Sequence, residues 1–229
     1  MFFSFLFDPT FLLLIPAFII TIWAQAKVSS TYKKYSQIDA KSGISGGQFA
    51  RTMLEQNGVS GVSVQAISGK MTDHFDPRNN TVNLSEGVYG KRSIAAISIA
   101  AHEAGHVLQK EKKYKPMSVR NAIVPVGNVA TTLAFPLILI GIIFSSMAVL
   151  VDIGAWVYFA VVIFQLITLP VEFNASKRAL ANISASGVLS ATEQIEAKKM
   201  LSAAAMTYVA AMLASFLSFL RLFLLSKRR

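Results

Sequence analysis

AIVPVGNVATTLAFPLILIGIIFSSMAVLVDIGAWVYFAVVIFQLITL, residues 122–169, contains one charged side chain, Asp152, and one polar break, Ser145-Ser146. A bilayer crossing needs about 20 apolar residues. The stretch therefore reads as two spans joined as a tight helical hairpin. The first runs from about Ala122 to Ser146 and includes Pro125 and Pro136; the second runs from about Met147 to Leu169. Working outward, two further segments have the same character. One is Phe11–Trp23, extended upstream by Met1–Phe7 and interrupted by Asp8-Pro9. The other is Leu201–Leu225, Ala-rich in its first half, with Arg221 near its end, where a long cation can snorkel to the interface. The first segment lacks the basic lead of a signal peptide. Ala24-Gln25-Ala26-Lys27 after it has the small-residue pattern of a cleavage site, but the segment reads as a retained anchor.

The whole chain agrees with this reading. Of its 229 residues, 53% are apolar and 15% charged, with a mean hydropathy of +0.50. Soluble domains carry about 25% charged residues. This excludes a disordered chain and a typical soluble enzyme, and points to a multi-pass protein of the cell membrane with the lipid bilayer as a partner. The net charge of +10 reads as a topology signal and an attraction to anionic lipid, with no nucleic-acid partner. Without cysteine, thiol catalysis and Cys-based zinc sites are excluded.

Two polar regions remain, Lys27–Arg120 and Val171–Met200. The hairpin leaves one face of the membrane and returns to it, so both regions are expected on the same face. Fourteen Lys and Arg lie between Lys27 and Arg120, and Lys177, Arg178, Lys198 and Lys199 lie in the second region. The opposite face has Lys227-Arg228-Arg229 and Arg221. The positive-inside rule then puts the polar regions in the cytoplasm.

The first polar region reads as α+β. Ser45–Asn57 is helical in pattern, with Phe49, Met53 and Leu54 on one face and Gly58 as a stop. Val62–Ile67 and Thr81–Leu84 alternate like strands, separated by the turns at Ser68-Gly69-Lys70 and Asp76-Pro77-Arg78-Asn79-Asn80. Ser93 caps a helix from about Ile94 to Lys110.

That helix carries His102-Glu103-Ala104-Gly105-His106, the pattern HExxH. Residues four apart share a helix face, so both imidazoles can bind one Zn²⁺, with Glu103 beside them to take a proton from the attacking water. Two buried histidines and a carboxylate without a metal would be costly. A catalytic zinc site takes three protein ligands and leaves one position open. Glu172, in Leu169-Pro170-Val171-Glu172, lies on the expected face, and Pro170 favours a helix starting there. Glu172 then reads equally as a third ligand or as a first-turn carboxylate complementing the helix dipole. His74, also on that face, is a rival third ligand.

Several runs resemble one family. They are Thr72-Asp73-His74-Phe75-Asp76-Pro77-Arg78, Val82-Asn83-Leu84-Ser85, Ala100-Ala101-His102-Glu103-Ala104-Gly105-His106, the run Leu169–Ala179, and Ala203–Ala210. Together they resemble the neutral zinc metallopeptidases of the YugP-like group, bacterial membrane proteins, over nearly the whole chain from Gly43 to about Arg221. More distantly, they resemble the HtpX and CAAX prenyl proteases, whose third ligand is a Glu on a following helix. The resemblance implies one Zn²⁺ per chain held by His102, His106 and Glu172, with Glu103 as the catalytic carboxylate. Asn174 stands where the YugP-like group usually carries Asp, and Ser176 stands where the HtpX-type pattern carries an Asp that orients the ligands. Here Asn174 can still accept a hydrogen bond from an imidazole N–H. His74 becomes either a donor to the oxyanion or a turn residue bonded to Asp73 or Asp76.

The expected fold is therefore a mainly α membrane protein of about four transmembrane helices with a small α+β, zincin-like catalytic region. Its segments are an anchor at 1–26, the catalytic region at 27–120, the hairpin at 121–169, a helix bearing the third ligand at 170–200, and a last span with a basic tail at 201–229. The expected function is a membrane-anchored zinc endopeptidase acting on polypeptide substrates through zinc-activated water, with Glu103 as general base and acid. The alternative is a non-catalytic, zinc-stabilised or chaperone-like membrane scaffold, in which Glu103 has no task. An intramembrane-cleaving protease fits less well, because Lys91-Arg92 and Lys110–Lys113 flank the HExxH helix. A transporter is disfavoured by spans with few ionisable groups.

Overall fold

The structure, a computed structural model, describes residues 8–227. The upstream extension Met1–Phe7 and the tail residues Arg228-Arg229 lie outside the described residues. The chain is mostly helical, with one small sheet. Among the described residues, four helices are long and apolar enough to cross a membrane: Pro9–Tyr35, Lys115–Ile143, Val149–Ser186 and Ala191–Lys227. It divides into two compact units. The first holds the chain up to Gln25, Val119–Pro170 and the segment from Thr207 onward; the second holds Ala26–Ser118 and Val171–Met206.

In the first unit, Asp8-Pro9 is a start signal rather than an interruption. The Asp8 carboxylate accepts from the Thr10 N–H at 2.7 Å, opening a 3₁₀ turn at Pro9–Leu13. Pro9 sits where a helix has no use for an N–H. Helix α1 then runs Leu14–Tyr35, so Ala24-Gln25-Ala26 lies in a helix interior. The hairpin pairs α5 (Lys115–Ile143) with α6 (Val149–Ser186) across a 3₁₀ turn at Ser145–Met147. Gly154 makes the pairing close, since a Cβ there would lie 2.5 Å from Ile138 Cγ1. Ile138, Ile142, Val151 and Ala155 are buried here with Leu222 of α7 (Ala191–Lys227). Phe135 and Ile22, by contrast, are 70% and 67% exposed. Apolar side chains turned outward along four such helices suit acyl chains as solvent.

The second unit has its own core. Helix α2 (Gly46–Gln56) opens with a capping box. Ser45 Oγ accepts from the Gln48 N–H at 3.2 Å, and Gln48 Oε1 accepts from the Ser45 N–H at 2.8 Å. The sheet has the order β1-β3-β2, with β1 (Ser63–Ile67) parallel to β3 (Thr81–Ser85) and β2 (His74–Asp76) antiparallel to β3 at an edge. Strand β2 lies between the two expected turns, overlapping only Asp76, in a stretch where the sequence pattern gave no strand. A short helix α3 (Glu86–Tyr89) leads to α4 (Ile94–Glu111), capped by Ser93 Oγ accepting from the Ala96 N–H. Phe49, Met53, Leu84, Ile97, Leu108, Ile183 and Met200 are each at most 2% exposed in one cluster. Each such side chain contributes on the order of 1.5–3 kcal/mol by burial.

Pro170 does not begin a new helix. It lies inside α6, which continues unbroken to Ser186. Hydropathy falls after Leu169, but nothing after Pro170 opposes helix, and a helix can carry an internal proline when its surroundings absorb the lost bond. Glu172 is thus in a helix interior, where there are no free first-turn N–H groups, and the helix-dipole reading of its carboxylate loses its basis.

Within the second unit α4 packs on α6 at Gly105. A Cβ on Gly105 would lie 2.7 Å from the Ala175 carbonyl oxygen. Gly105→Ala should therefore push the helices apart, lowering stability by about 1–3 kcal/mol and weakening zinc retention. Thermal unfolding and metal content of the purified variant check this; an unchanged unfolding midpoint with full zinc would contradict the packing argument.

Candidate metal centre

Residues 102–106 lie on α4, whose buried face also holds Ala101, Ala104, Val107 and Leu108. The helix is anchored on both sides of the motif, and the two histidines follow one another by a turn along its edge. Their rings meet edge to face, with centroids 4.8 Å apart. Across from them, Glu172 is 3% exposed on α6. One carboxylate oxygen, Glu172 Oε2, lies 3.2 Å from His102 Nε2 and 3.5 Å from His106 Nε2. The ligand atoms of all three residues fall within 4.8 Å of one another.

This geometry fits zinc. Ligands about 2.0–2.1 Å from a tetrahedral ion stand about 3.3 Å apart, close to both measured nitrogen–oxygen separations. The donor set also suits it: two imidazoles and one carboxylate make a three-ligand set that leaves a fourth position. The outer ring nitrogens are engaged elsewhere, so both Nε2 atoms face inward. His102 Nδ1 lies 3.1 Å from Ser176 Oγ, and His106 Nδ1 lies 3.0 Å from Gln109 Oε1. Electrostatics point the same way. Burial alone would depress the His106 pKa, yet the net shift is upward, because Glu172 bonds to the ring and both Glu172 and Glu103 favour positive charge there.

Glu103, 8% exposed, is outside the trio. Its Oε2 accepts from the Phe75 backbone N–H at 3.0 Å. Phe75 is the middle residue of β2 and pairs with Val82, and its N–H points off the sheet edge toward α4. Ser176 Oγ sits beside the His102 ring. Asn174 does not meet an imidazole: its Oδ1 accepts from Gln109 Nε2 at 3.1 Å and from Arg178 Nε at 2.8 Å. The link to His106 is made by Gln109, a fully buried residue that the sequence reading passed over. A Gln one turn beyond the motif was the available signal, but glutamines are common on helices.

His74 is exposed and stands apart from the trio. Its Nδ1 lies 2.8 Å from the Thr72 carbonyl oxygen and its Nε2 lies 3.1 Å from Asn83 Nδ2. Asn83 Oδ1 accepts from Gln65 at 2.7 Å, so its amide donates toward His74. Both ring nitrogens are thereby engaged, by Thr72 and Asn83 rather than by Asp73 or Asp76. Asp73 instead accepts from the Ser85 N–H and hydroxyl, and Asp76 accepts from Arg78 N and Asn79 Nδ2.

Fold, charge and donor set together describe a membrane protein with a site for one divalent metal. Residues 10–227 match the family described as "Putative neutral zinc metallopeptidase", and the chain belongs to that family. It is 46% identical over 209 residues, covering 91% of this chain and 92% of the relative, to a protein of Bacillus subtilis (strain 168) named "Putative membrane protease YugP". No solved structure matches the chain. The chain is thus a multi-pass membrane protein of a zinc peptidase family, with His102, His106 and Glu172 positioned to hold the metal ion.

Glu172→Ala should strip zinc, whereas His74→Ala should leave it bound. Titrating each metal-free variant with zinc against a competing chelator separates the two. Loss of metal in His74→Ala with retention in Glu172→Ala would reverse the ligand assignment.

Proposed function

We propose that the protein is a membrane-anchored zinc endopeptidase in which His102, His106 and Glu172 hold the metal and Glu103 is the general base. The observation that carries this reading is the trio gathered on one carboxylate oxygen, with a second buried carboxylate on the adjacent helical position and outside the trio. Zinc, when bound in such a site, polarises the scissile carbonyl and makes water acidic enough to attack near neutral pH. The remaining steps belong to the chain. The Phe75 N–H holds one oxygen of Glu103, leaving the other to take the proton of the attacking water. The same carboxyl then returns that proton to the leaving amine nitrogen. Ser176 and Gln109 hold the two imidazoles so that neither ring turns away during the cycle. Together, the sheet edge and the HExxH helix make the second unit a zincin-like catalytic region.

Polypeptide is the substrate class. A scaffold held together by zinc would need the trio but not Glu103, and burying a carboxylate with no task costs stability. Glu103→Gln keeps the shape and the acceptor for the Phe75 N–H while removing the base. Zinc content should stay near the native value while hydrolysis of casein or a fluorogenic peptide falls by at least about 10²-fold. Most of the activity surviving in Glu103→Gln would remove the residue from this role.

The excess of Lys and Arg supports a cytoplasmic site, with residues 27–120 and 171–200 on that side. The chain has no cysteine, and Ser42 and Ser184 are both exposed. Cysteines at these positions should resist a membrane-impermeant thiol reagent in intact cells and react after lysis. Labelling of both in intact cells would invert the orientation, and labelling of one alone would break the four-span arrangement.

A further inference from the structure

We infer that Gln109 is a positioning residue: a relay of neutral amides, directed by Arg178, fixes the His106 ring in the tautomer that a metal ligand requires. The inference rests on the reading of His106 as a zinc ligand and extends it to residues that neither the family description nor the related protein's name assigns.

The argument follows the direction of each hydrogen bond. An arginine side chain can only donate. Arg178 Nε lies 2.8 Å from Asn174 Oδ1, which sets the Asn174 amide with its oxygen toward Arg178. The Arg178 guanidinium is itself placed over the Tyr114 ring, 6.0 Å from its centroid. The same Asn174 oxygen faces Gln109 Nε2 at 3.1 Å, and the Val171 carbonyl oxygen faces it at 2.7 Å. The two hydrogens of the Gln109 amide thus go to two oxygen acceptors. Turning that amide over would set its oxygen against the Val171 carbonyl inside a fully buried site, leaving two acceptors facing each other without a proton. Gln109 therefore presents its Oε1 to His106 Nδ1 at 3.0 Å. An oxygen there only accepts, so Nδ1 carries the hydrogen. The neutral ring then keeps its lone pair on Nε2, the atom that faces Glu172 Oε2.

This explains how Asn can stand at 174 where the YugP-like group usually carries Asp. The relay needs an oxygen acceptor at that point, not a charge. The opposite ring has no such enforcement: Ser176 Oγ beside His102 Nδ1 can donate or accept, so the relay acts on His106 alone.

The test uses the full-length protein in detergent, with zinc affinity measured by competition against a chelator. Gln109→Leu, of similar volume but without polar atoms, should weaken zinc about 10–100-fold. Asn174→Leu should weaken it as well, while Asn174→Asp, which keeps the oxygen, should lose far less. A purely structural role for the pair would lower the unfolding midpoint of all three variants without this ordering. Long-range ¹H–¹⁵N spectra of the three histidines supply a second readout. In metal-free native protein, at a pH where the rings are neutral, His106 should carry its proton on Nδ1, and in Gln109→Leu, which removes the acceptor at Nδ1, it should become a mixture. Zinc affinity of folded Gln109→Leu within about threefold of native, equal losses in Asn174→Asp and Asn174→Leu, or a native His106 protonated on Nε2 would each overturn the inference. If Gln109→Leu does not fold, the Asn174 pair and the native spectrum decide it. Neither readout involves peptide hydrolysis, so failure of Glu103 as general base would leave this result standing, and the reverse.

Discussion

The centre depends on one close approach, the crossing of α4 and α6 at Gly105. Without a side chain at that position, the α4 backbone rests against the Ala175 carbonyl, where a Cβ would come within 2.7 Å. The offsets on either side match. His102 and His106 stand three residues before and one after Gly105, and Glu172 and Ser176 stand three before and one after Ala175. Each helix thus contributes two side chains one turn apart, straddling the contact. At this separation Glu172 reaches both Nε2 atoms and Ser176 reaches His102 Nδ1. A wider crossing would break the three contacts at once, since all are near hydrogen-bond length.

Such a crossing obliges the polar groups around it to be satisfied. Glu172, Glu103, His106 and Gln109 are all buried, and an unpaired polar group in such a place costs about 1–3 kcal/mol, more if charged. The structure meets this by drawing partners from separate elements. Glu103 takes the Phe75 N–H of β2, and Gln109 takes the Val171 carbonyl of α6. The edge position of β2 matters here. In a central strand the Phe75 N–H would belong to the sheet ladder; at an edge it is free to serve a side chain on the facing helix.

What the sequence disclosed and what it withheld divide along physical lines. Ser93 and Ser45 announce helix starts because a hydroxyl meeting an orphan N–H is a local event. His102, Glu103 and His106 are legible because ligand spacing on one helix is also local. Glu172 lies 70 positions from His102, and its partnership came from membrane parity and family likeness rather than from any neighbouring pattern. The run through Pro170 was misread because hydropathy reports solvent, not secondary structure: the apolar pattern stops at Leu169 while the helix does not. Strand β2 was missed because three residues cannot display an alternation. Phe75 carried no signal, and Gln109 only the weak one of a Gln one turn beyond the motif. A backbone N–H has no residue type, and an amide on a helix becomes informative only when its neighbours across the fold are known.

Charge balance gives the arrangement at Asn174 a further rationale. The buried centre already holds two carboxylates, Glu172 and Glu103, whose charge one divalent ion would offset. A third carboxylate in the same interior would leave it negative unless a cation were brought along, and burying such an extra pair rarely returns its desolvation cost. Arg178 is available at position 174, only partly buried on α6, so an Asp there would be compensated and an Asn need not be. Either residue offers the oxygen that the Gln109 amide requires. The direction of these hydrogen bonds therefore bears on the His106 ring alone, while the charge at position 174 is left to vary with the surface that Arg178 faces.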